Sequence, residues 1–356
     1  LGVQLAPLTP EELKAASIEK GVKVNGVLPS LTGEKLKLQA GDVILSVNSA
    51  AVGAPAEISR AMSGLYGGSK IALEVLRSGR KERLEGTVAE RPKQKEDGFK
   101  VIYDQVVSQG KRIRVIITHP EGKGPFPALY LIGGIGAYSV DGDFGSSAYG
   151  NVIGPIAKTG FATIRIDKPG QGDSEGPAYT DLLFDDELDA YRQALKLAKS
   201  LPVINPDKIA VFGHSMGGCF GPLLAQEGGL AGVAVYGTLA KTWVEYMLEN
   251  SRRQSLLAGA KPGDVDAGMR GEAAIAHLIY NEGLSPAEAK EKHPKWAEAV
   301  QASYPDGKTY SGVGIRFFQQ LAAKNLMGAW EKTNAKVLSI YAENDFLCCR
   351  DDHEFI

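Results

Sequence analysis

One stretch constrains this chain more than any other: Lys208-Ile-Ala-Val-Phe-Gly-His-Ser-Met-Gly-Gly-Cys-Phe220. The apolar run 209–212 predicts a buried strand, and the small residues after 217 predict a helix. Between them Gly213-His214-Ser215-Met216-Gly217 fits the pattern Gly-x-Ser-x-Gly. A strand that turns straight into a helix leaves no room for side chains at Gly213 and Gly217, and it lifts the Ser215 hydroxyl above the sheet edge. An ordinary glycine-rich turn can carry the same pentapeptide, so the rest of the chain has to decide between the two.

Composition narrows the field. A chain of 356 residues predicts two or three domains, and 44% hydrophobic with 23% charged residues is ordinary for globular proteins. A net charge of −2 excludes the basic footprint of a nucleic-acid binder. No apolar run reaches 18 residues, so no membrane span is expected. The first residue is Leu1 rather than Met, which suggests a processed or trimmed chain; signal removal or cloning would explain it, and the expected location is extracytoplasmic or secreted after signal removal, with the cytoplasm as the alternative. Cys219, Cys348 and Cys349 make no disulfide framework. Without Cys-x-x-Cys or His-Glu-x-x-His, neither a metal nor another cofactor is expected.

The first ninety residues read as a small β-domain. A short alternating strand over 1–5 leads to a helix opened by Thr9-Pro10-Glu11-Glu12, with Thr9 at the N-cap and Glu12 at the capping-box position. Strands follow over 21–28 and after the Gly41-Asp42 turn, a helix over 56–65, and a hairpin from 69–77 into 83–88 through Ser78-Gly79. Residues 1–92 resemble a PDZ domain of the bacterial HtrA-protease type, most specifically in Leu-x-Ala-Gly-Asp-Val-Ile-Leu-x-Val-Asn at 38–48. The resemblance implies that Leu1, Gly2 and Val3 form a groove where a peptide C-terminus adds as a strand, its carboxylate on backbone N–H groups. The family's preceding strand would lie before Leu1. A domain used only for packing is the alternative. The charged stretch 89–98 reads as a solvated connection, giving a PDZ domain over 1–92, a linker over 93–98 and a second domain over 99–356.

The second domain alternates strands and helices. A hairpin over 99–117 turns at Gln109-Gly110, and a continuous apolar strand over 128–132 ends in Gly133-Gly134-Ile135-Gly136. A helix over 153–158, a strand over 161–166 and an amphipathic helix over 185–201 precede the Ser215 strand; further strands are expected at 232–236 and 336–342. This predicts an α/β fold with a mainly parallel sheet. Residues 239–334 show no clear strand but several helical stretches, among them Ser285-Pro286-Ala287-Glu288 with a capping box and 314–329. They read as an inserted helical cap, whose Trp243, Tyr246, Trp296 and Trp330 either line an acyl pocket or form its core.

Three motifs in order make this region resemble the α/β-hydrolase family, in particular its esterase and serine-peptidase branches. They are Gly213-His-Ser-Met-Gly-Gly218, the strand into Gly133-Gly134-Ile135, and Arg165-Ile-Asp-Lys-Pro-Gly-Gln-Gly-Asp-Ser174. The resemblance implies a nucleophilic Ser215, an oxyanion hole from the Met216 N–H with that of Ile135 or Gly134, and an acid at Asp345, with Glu343 as fallback. It also implies a histidine one strand beyond the acid. His353 follows Asp345 by only eight residues, in what looks like the next helix. It is the weaker candidate, and the stronger expectation is that the histidine lies beyond Ile356. An edge left uncovered there would invite pairing with a second copy. The implied activity is cleavage of an ester or peptide acyl bond in a small substrate. A peptide-binding scaffold with a degenerate or truncated hydrolase body is the alternative.

Overall fold

The computed structural model describes residues 1–62, 65–90, 93–141 and 149–356, in two compact units, Leu1–Gln94 and Lys95–Ile356. Ser63 and Gly64, within the expected 56–65 helix, and Arg91 and Pro92, at the expected PDZ–linker boundary, lie outside the described residues.

The first unit runs β1 (Val3–Pro7), α1 (Pro10–Ala16), β2 (Val22–Val27), α2 (Thr32–Lys35), β3 (Val43–Val47), β4 (Ala50–Ala51), α3 (Pro55–Met62), β5 (Lys70–Arg77) and β6 (Arg80–Thr87). Its strands pair antiparallel in the order β1-β2-β3-β5-β6, with β4 beside β3. Thr9 caps α1 reciprocally with Glu12 at 3.2 and 2.9 Å. Alternation sends Val22, Val24, Ile71, Leu73 and Val75 to one buried face, with Ile44 and Ile58. Asp42, the acid of the 38–48 motif, is buried under an Arg77 fork at 2.7 and 2.8 Å. Burial pushes its carboxyl up, but the Arg77 and Gln39 hydrogen bonds outweigh burial and hold it below the usual aspartate value. This unit is a PDZ domain.

The second unit opens with β7 (Phe99–Ser108), β8 (Lys111–Pro120) and β9 (Phe126–Ile132), then α4 (Gly150–Lys158), β10 (Ala162–Ile166), α5 (Phe184–Ser200), β11 (Ile204–His214), α6 (Gly217–Ala225) and β12 (Gly232–Tyr236). The sheet order is β15-β12-β11-β9-β10-β8-β7, where β15 is Lys336–Ile340. The β7–β8 and β8–β10 pairs are antiparallel and the others parallel. This is an α/β-hydrolase sheet. Its central strands bury one face through Tyr130, Ile132, Ile164, Ile166, Val211, Val233 and Val235, and on the other face Leu131 is buried while Leu129, Phe212 and Ala234 are half-buried, which explains their continuous apolar runs. Connections leave β9 in one direction through α4 and return across it through α5 to β11. The ends of β9 and β11 therefore flank the point where the winding reverses, the usual place for a ligand crevice.

Between β12 and β15 lie α7 (Trp243–Leu257), α8 (Pro262–Ala276), α9 (Pro286–Lys292), α10 (Ala297–Ser303), a two-stranded ribbon of β13 (Thr309–Tyr310) and β14 (Val313–Gly314), α11 (Ile315–Ala322) and α12 (Leu326–Glu331). The ribbon interrupts a span read as strandless; with two residues per strand it is too short for a period-2 pattern. The helix expected over 314–329 is broken, because the Asn325 side chain accepts the Gly328 N–H at 2.8 Å and starts α12 anew. Ser285 and Glu288 form the expected capping box. Trp243 stacks on Phe318 at 4.7 Å, and with Tyr246 and Trp330 it is buried in the unit's core, whereas Trp296 only packs against it. Helix α13 (Arg350–Phe355) follows β15.

Candidate active site

Ser215 sits where β11 gives way to α6, at φ 54°, a left-handed conformation that costs a non-glycine residue roughly 1–2 kcal/mol. Its surroundings enforce that geometry. The Ser215 N–H donates to the Tyr236 carbonyl at 2.9 Å, and the Ser215 carbonyl accepts the Gly218 N–H at 2.9 Å. A Cβ on Gly213 would lie 2.6 Å from the Gly217 carbonyl oxygen, and one on Gly217 only 2.0 Å from that of Ile132. Both glycines are therefore sterically required. Strain held by over-determined surroundings is the usual setting for a reactive side chain.

The register of the parallel pair sets the next piece. Gly213 lies opposite Ile132, so the residues after β9 emerge beside the serine. A Cβ on Gly134 would stand 3.1 Å from Ser215 Cβ and 3.4 Å from its Oγ. The loop's peptide groups are largely committed. The Gly134 N–H donates to Tyr149 Oη at 2.8 Å, and the Gly136 N–H to Tyr179 Oη at 2.6 Å. The Gly134 carbonyl accepts from Tyr138 Oη and from Lys168 Nζ, both at 2.7 Å. Of the two loop donors named from sequence, the Gly134 N–H is thus already spent. The N–H groups of Ile135 and Met216 have no partner among the described residues.

Beyond β11 come the ends of β12 and β15. Asp345 Oδ1 accepts the N–H groups of Leu347 and Cys348 at 2.8 and 3.0 Å. Oδ2 faces Gly237, where a Cβ would lie 3.1 Å away and which takes φ 57°. One carboxylate oxygen is thus fixed by backbone and the other turned toward the β12 end, next to the strand that carries Ser215. Glu343 is exposed.

The histidines are spread widely. His353, in α13, is buried, with Nδ1 2.9 Å from Ser339 Oγ and Nε2 without a partner among the described residues. His119 faces the Pro120 carbonyl and His277 faces Glu282. His293 ends α9. His214 Nδ1 lies 2.8 Å from Tyr149 Oη, and its ring stacks on Tyr236. Among the described residues, no histidine hydrogen-bonds to Ser215 Oγ.

Burial pulls the His214 imidazole below its ordinary value, with Asp345 opposing more weakly. Below pH about 6.5 the unfolded ring takes up a proton that the folded ring resists. Its contribution to stability is therefore present above about 6.5 and is lost as pH falls through that window. An NMR titration of His214 should give a midpoint below 6.5; a midpoint above it would contradict this reading.

Glu249, Cys349 and Asp352 place potential ligand atoms within 4.8 Å of one another. The group is already internally paired: Cys349 Sγ donates to Asp352 at 3.1 Å and accepts from Lys241 Nζ at 3.3 Å, so an ammonium already stands where a cation would bind. Burial pushes the Cys219 thiol up to about 12, making it an inert core group.

In the first unit, Gly33 N–H donates to the Leu1 carbonyl at 2.7 Å and Leu28 N–H to that of Gly2 at 2.9 Å. β1 pairs only with β2, so its outer edge is unpaired among the described residues, with α3 packed beside it.

Sequence reasoning missed the side chains that hold the 133–136 loop: Tyr138, Tyr149, Tyr179, Lys168 and, behind Lys168, Glu187. One signal was available. Glu187 lies in the apolar stripe of α5 with Phe184, Leu188 and Tyr191, where a carboxylate needs a buried partner.

Two family models match the chain. The PDZ domain family model matches residues 1–88, and the model described as X-Pro dipeptidyl-peptidase (S15 family) matches residues 109–345. A "Probable periplasmic serine endoprotease DegP-like" of Brucella suis is 28% identical over 130 residues, 35% of this chain and 25% of that protein. "Magnetosome formation protease MamE" of Magnetospirillum gryphiswaldense is 37% identical over 81 residues, 22% of this chain and 10% of that protein. The chain thus spans a quarter or less of the length of these relatives. Solved structures similar to it include an alpha/beta hydrolase from Penicillium, at 17% identity and TM-score 0.46 over 72% of this chain and 84% of that one. A proline iminopeptidase from Mycobacterium smegmatis matches at 20% and 0.44 over 71% and 85%.

Proposed function

The chain belongs to the X-Pro dipeptidyl-peptidase (S15) family, and from that premise we propose that it is a serine hydrolase that cleaves a peptide or ester acyl bond through an acyl-Ser215 intermediate. The observation that carries this reading is Ser215 held at φ 54° between two bare glycines, beside the N–H groups of Met216 and Ile135, which have no partner among the described residues. Ser215 Oγ attacks the acyl carbon, and the carbonyl oxygen takes up negative charge against those two donors. The acyl C–N or C–O bond then breaks, the proton given up by the Ser215 hydroxyl leaves on the amine or alcohol, and water splits the acyl ester to the free acid and restores the Ser215 hydroxyl. Each donor is worth roughly 3 kcal/mol of barrier. Asp345, with one oxygen fixed and the other turned toward the β12 end, is the acid of this reading.

The test is labelling with a fluorophosphonate. The full chain should label stoichiometrically and Ser215→Ala not at all. A folded wild-type protein that stays unlabelled would support the second reading, a body without hydrolytic activity. That reading draws on the lack of a histidine at Ser215 Oγ among the described residues. Loss of one triad member still leaves about 10³–10⁴-fold catalysis over water, so slow labelling counts for the enzyme.

For the PDZ domain we propose strand addition of a peptide C-terminus along the outer edge of β1, at Leu1, Gly2 and Val3. Peptides ending in a free carboxylate should bind and their amidated forms should bind at least about tenfold more weakly; equal binding refutes carboxylate capture. The periplasmic naming of the Brucella relative supports an extracytoplasmic location.

A further inference from the structure

Behind the 133–136 loop lies a buried ion pair that the proposed chemistry does not use. Lys168 Nζ stands 3.3 Å from Glu187 Oε1, with both side chains at most 3% exposed. The same Glu187 oxygen accepts from Tyr191 Oη at 2.8 Å, while Oε2 has no partner among the described residues. A buried pair of this kind contributes little net stability over a well-packed apolar substitute. Its third contact is the informative one: Lys168 Nζ also donates to the Gly134 carbonyl at 2.7 Å.

That carbonyl belongs to the same peptide unit as the Ile135 N–H. The unit is trans and planar, so its C=O and N–H point in opposite directions. Fixing the oxygen fixes the direction of the hydrogen. A cation on the oxygen also polarises the amide and strengthens its N–H as a donor. We propose that Lys168, held by Glu187, is a positioning residue that pins the Gly134 carbonyl and so aims and activates the Ile135 N–H as the second oxyanion donor. The proposal rests on the serine-hydrolase reading. Tyr138 Oη shares the carbonyl at 2.7 Å, and Tyr179 takes the Gly136 N–H, so the pair completes a set of anchors.

The test separates holding the loop from holding the fold. Lys168→Met leaves Glu187 buried and unpaired and should destabilise the protein. Lys168→Met with Glu187→Gln removes both charges and should restore the melting temperature to within a few degrees. If Lys168 positions the loop, this double variant should still show at least about tenfold faster amide exchange at Ile135. Fluorophosphonate inactivation of Ser215 should be roughly thirtyfold slower at saturation, with an unchanged half-saturating concentration. Wild-type exchange and wild-type inactivation in a refolded double variant would overturn the proposal. If wild-type Ser215 never labels, the hydrolase reading fails on its own, and exchange at Ile135 alone decides whether the pair holds the loop. Should the double variant not fold, Tyr138→Phe removes the other donor to the same carbonyl without touching a charge. Faster exchange at Ile135 then supports the link between that carbonyl and that N–H, and unchanged exchange overturns it.

Discussion

Gly217→Ala should cost about 4 kcal/mol or more and abolish fluorophosphonate labelling of Ser215. The added methyl would meet three backbone atoms at once: the Ile132 oxygen at 2.0 Å, the Ile132 carbon at 2.7 Å and the Gly133 oxygen at 2.9 Å. A flexible side chain could swing away, but these atoms belong to a central strand and the loop that follows it. Relief requires α6 to lift off β9, which moves Ser215 away from Ile135 and opens the core around Phe220. The measurements are a denaturant melt and the labelling rate. A variant within 1 kcal/mol of wild type that still labels would show that the turn gives way to a methyl group and overturn this expectation. Gly160→Ala is the control. It also has positive φ, at 94°, but no atom of the described residues within 4 Å of the added methyl, so it should cost only roughly 1–2 kcal/mol of backbone strain.

Arg165→Met should destabilise the second unit by about 3–5 kcal/mol, the usual cost of removing one partner from a buried charge network. Arg165 is 1% exposed and sits in the middle of β10. Its Nη1 donates to Thr118 Oγ1 at 2.9 Å and its Nε to the Val140 carbonyl at 3.3 Å. Burial lowers its pKa to about 10, opposed by Asp141, Tyr103 and Asp167, so the group stays charged at neutral pH. Without it, the buried Asp141 and Asp167 side chains lose a neighbouring guanidinium. Asp167 Oδ1 also holds Ser139 Oγ and the Val140 N–H at 2.7 and 2.9 Å, so damage should spread along the chain toward the 133–136 loop. A thermal melt should fall by roughly 10 °C for a unit of this size. A fall of under 2 °C would mean that the network relaxes around the gap. Arg165→Lys keeps the charge but not the reach to both partners, and should fall between the two.

Much of the site is local and therefore legible in sequence. Gly213, Ser215 and Gly217 encode their own turn, because a left-handed serine between two close backbone crossings leaves no alternative to glycine. The strand before them, the capping boxes at Thr9 and Ser285 and the hairpin turn at Gln109-Gly110 are readable for the same reason: each involves residues within a few positions of one another. The Asp42 clamp is intermediate. The motif marked Asp42, but its partner Arg77 comes 35 residues later and is known only from the sheet register.

By itself, then, the sequence determined that a serine stands on a strained turn at the end of a central strand, with a glycine loop expected nearby; the acid at Asp345 was an expectation drawn from the family resemblance. Tertiary structure alone decided what surrounds that serine. The partners of the Gly134 peptide come from positions 138, 149 and 168, and the Glu187 behind Lys168 from α5; no periodic pattern links them. The strand order brings them together, placing β9 between β10 and β11. The same holds for His353, whose partner Ser339 is set by how α13 packs against β15. Short-range sterics write themselves into adjacent residues, whereas hydrogen-bond partners across a sheet are assigned only once the sheet has chosen its order.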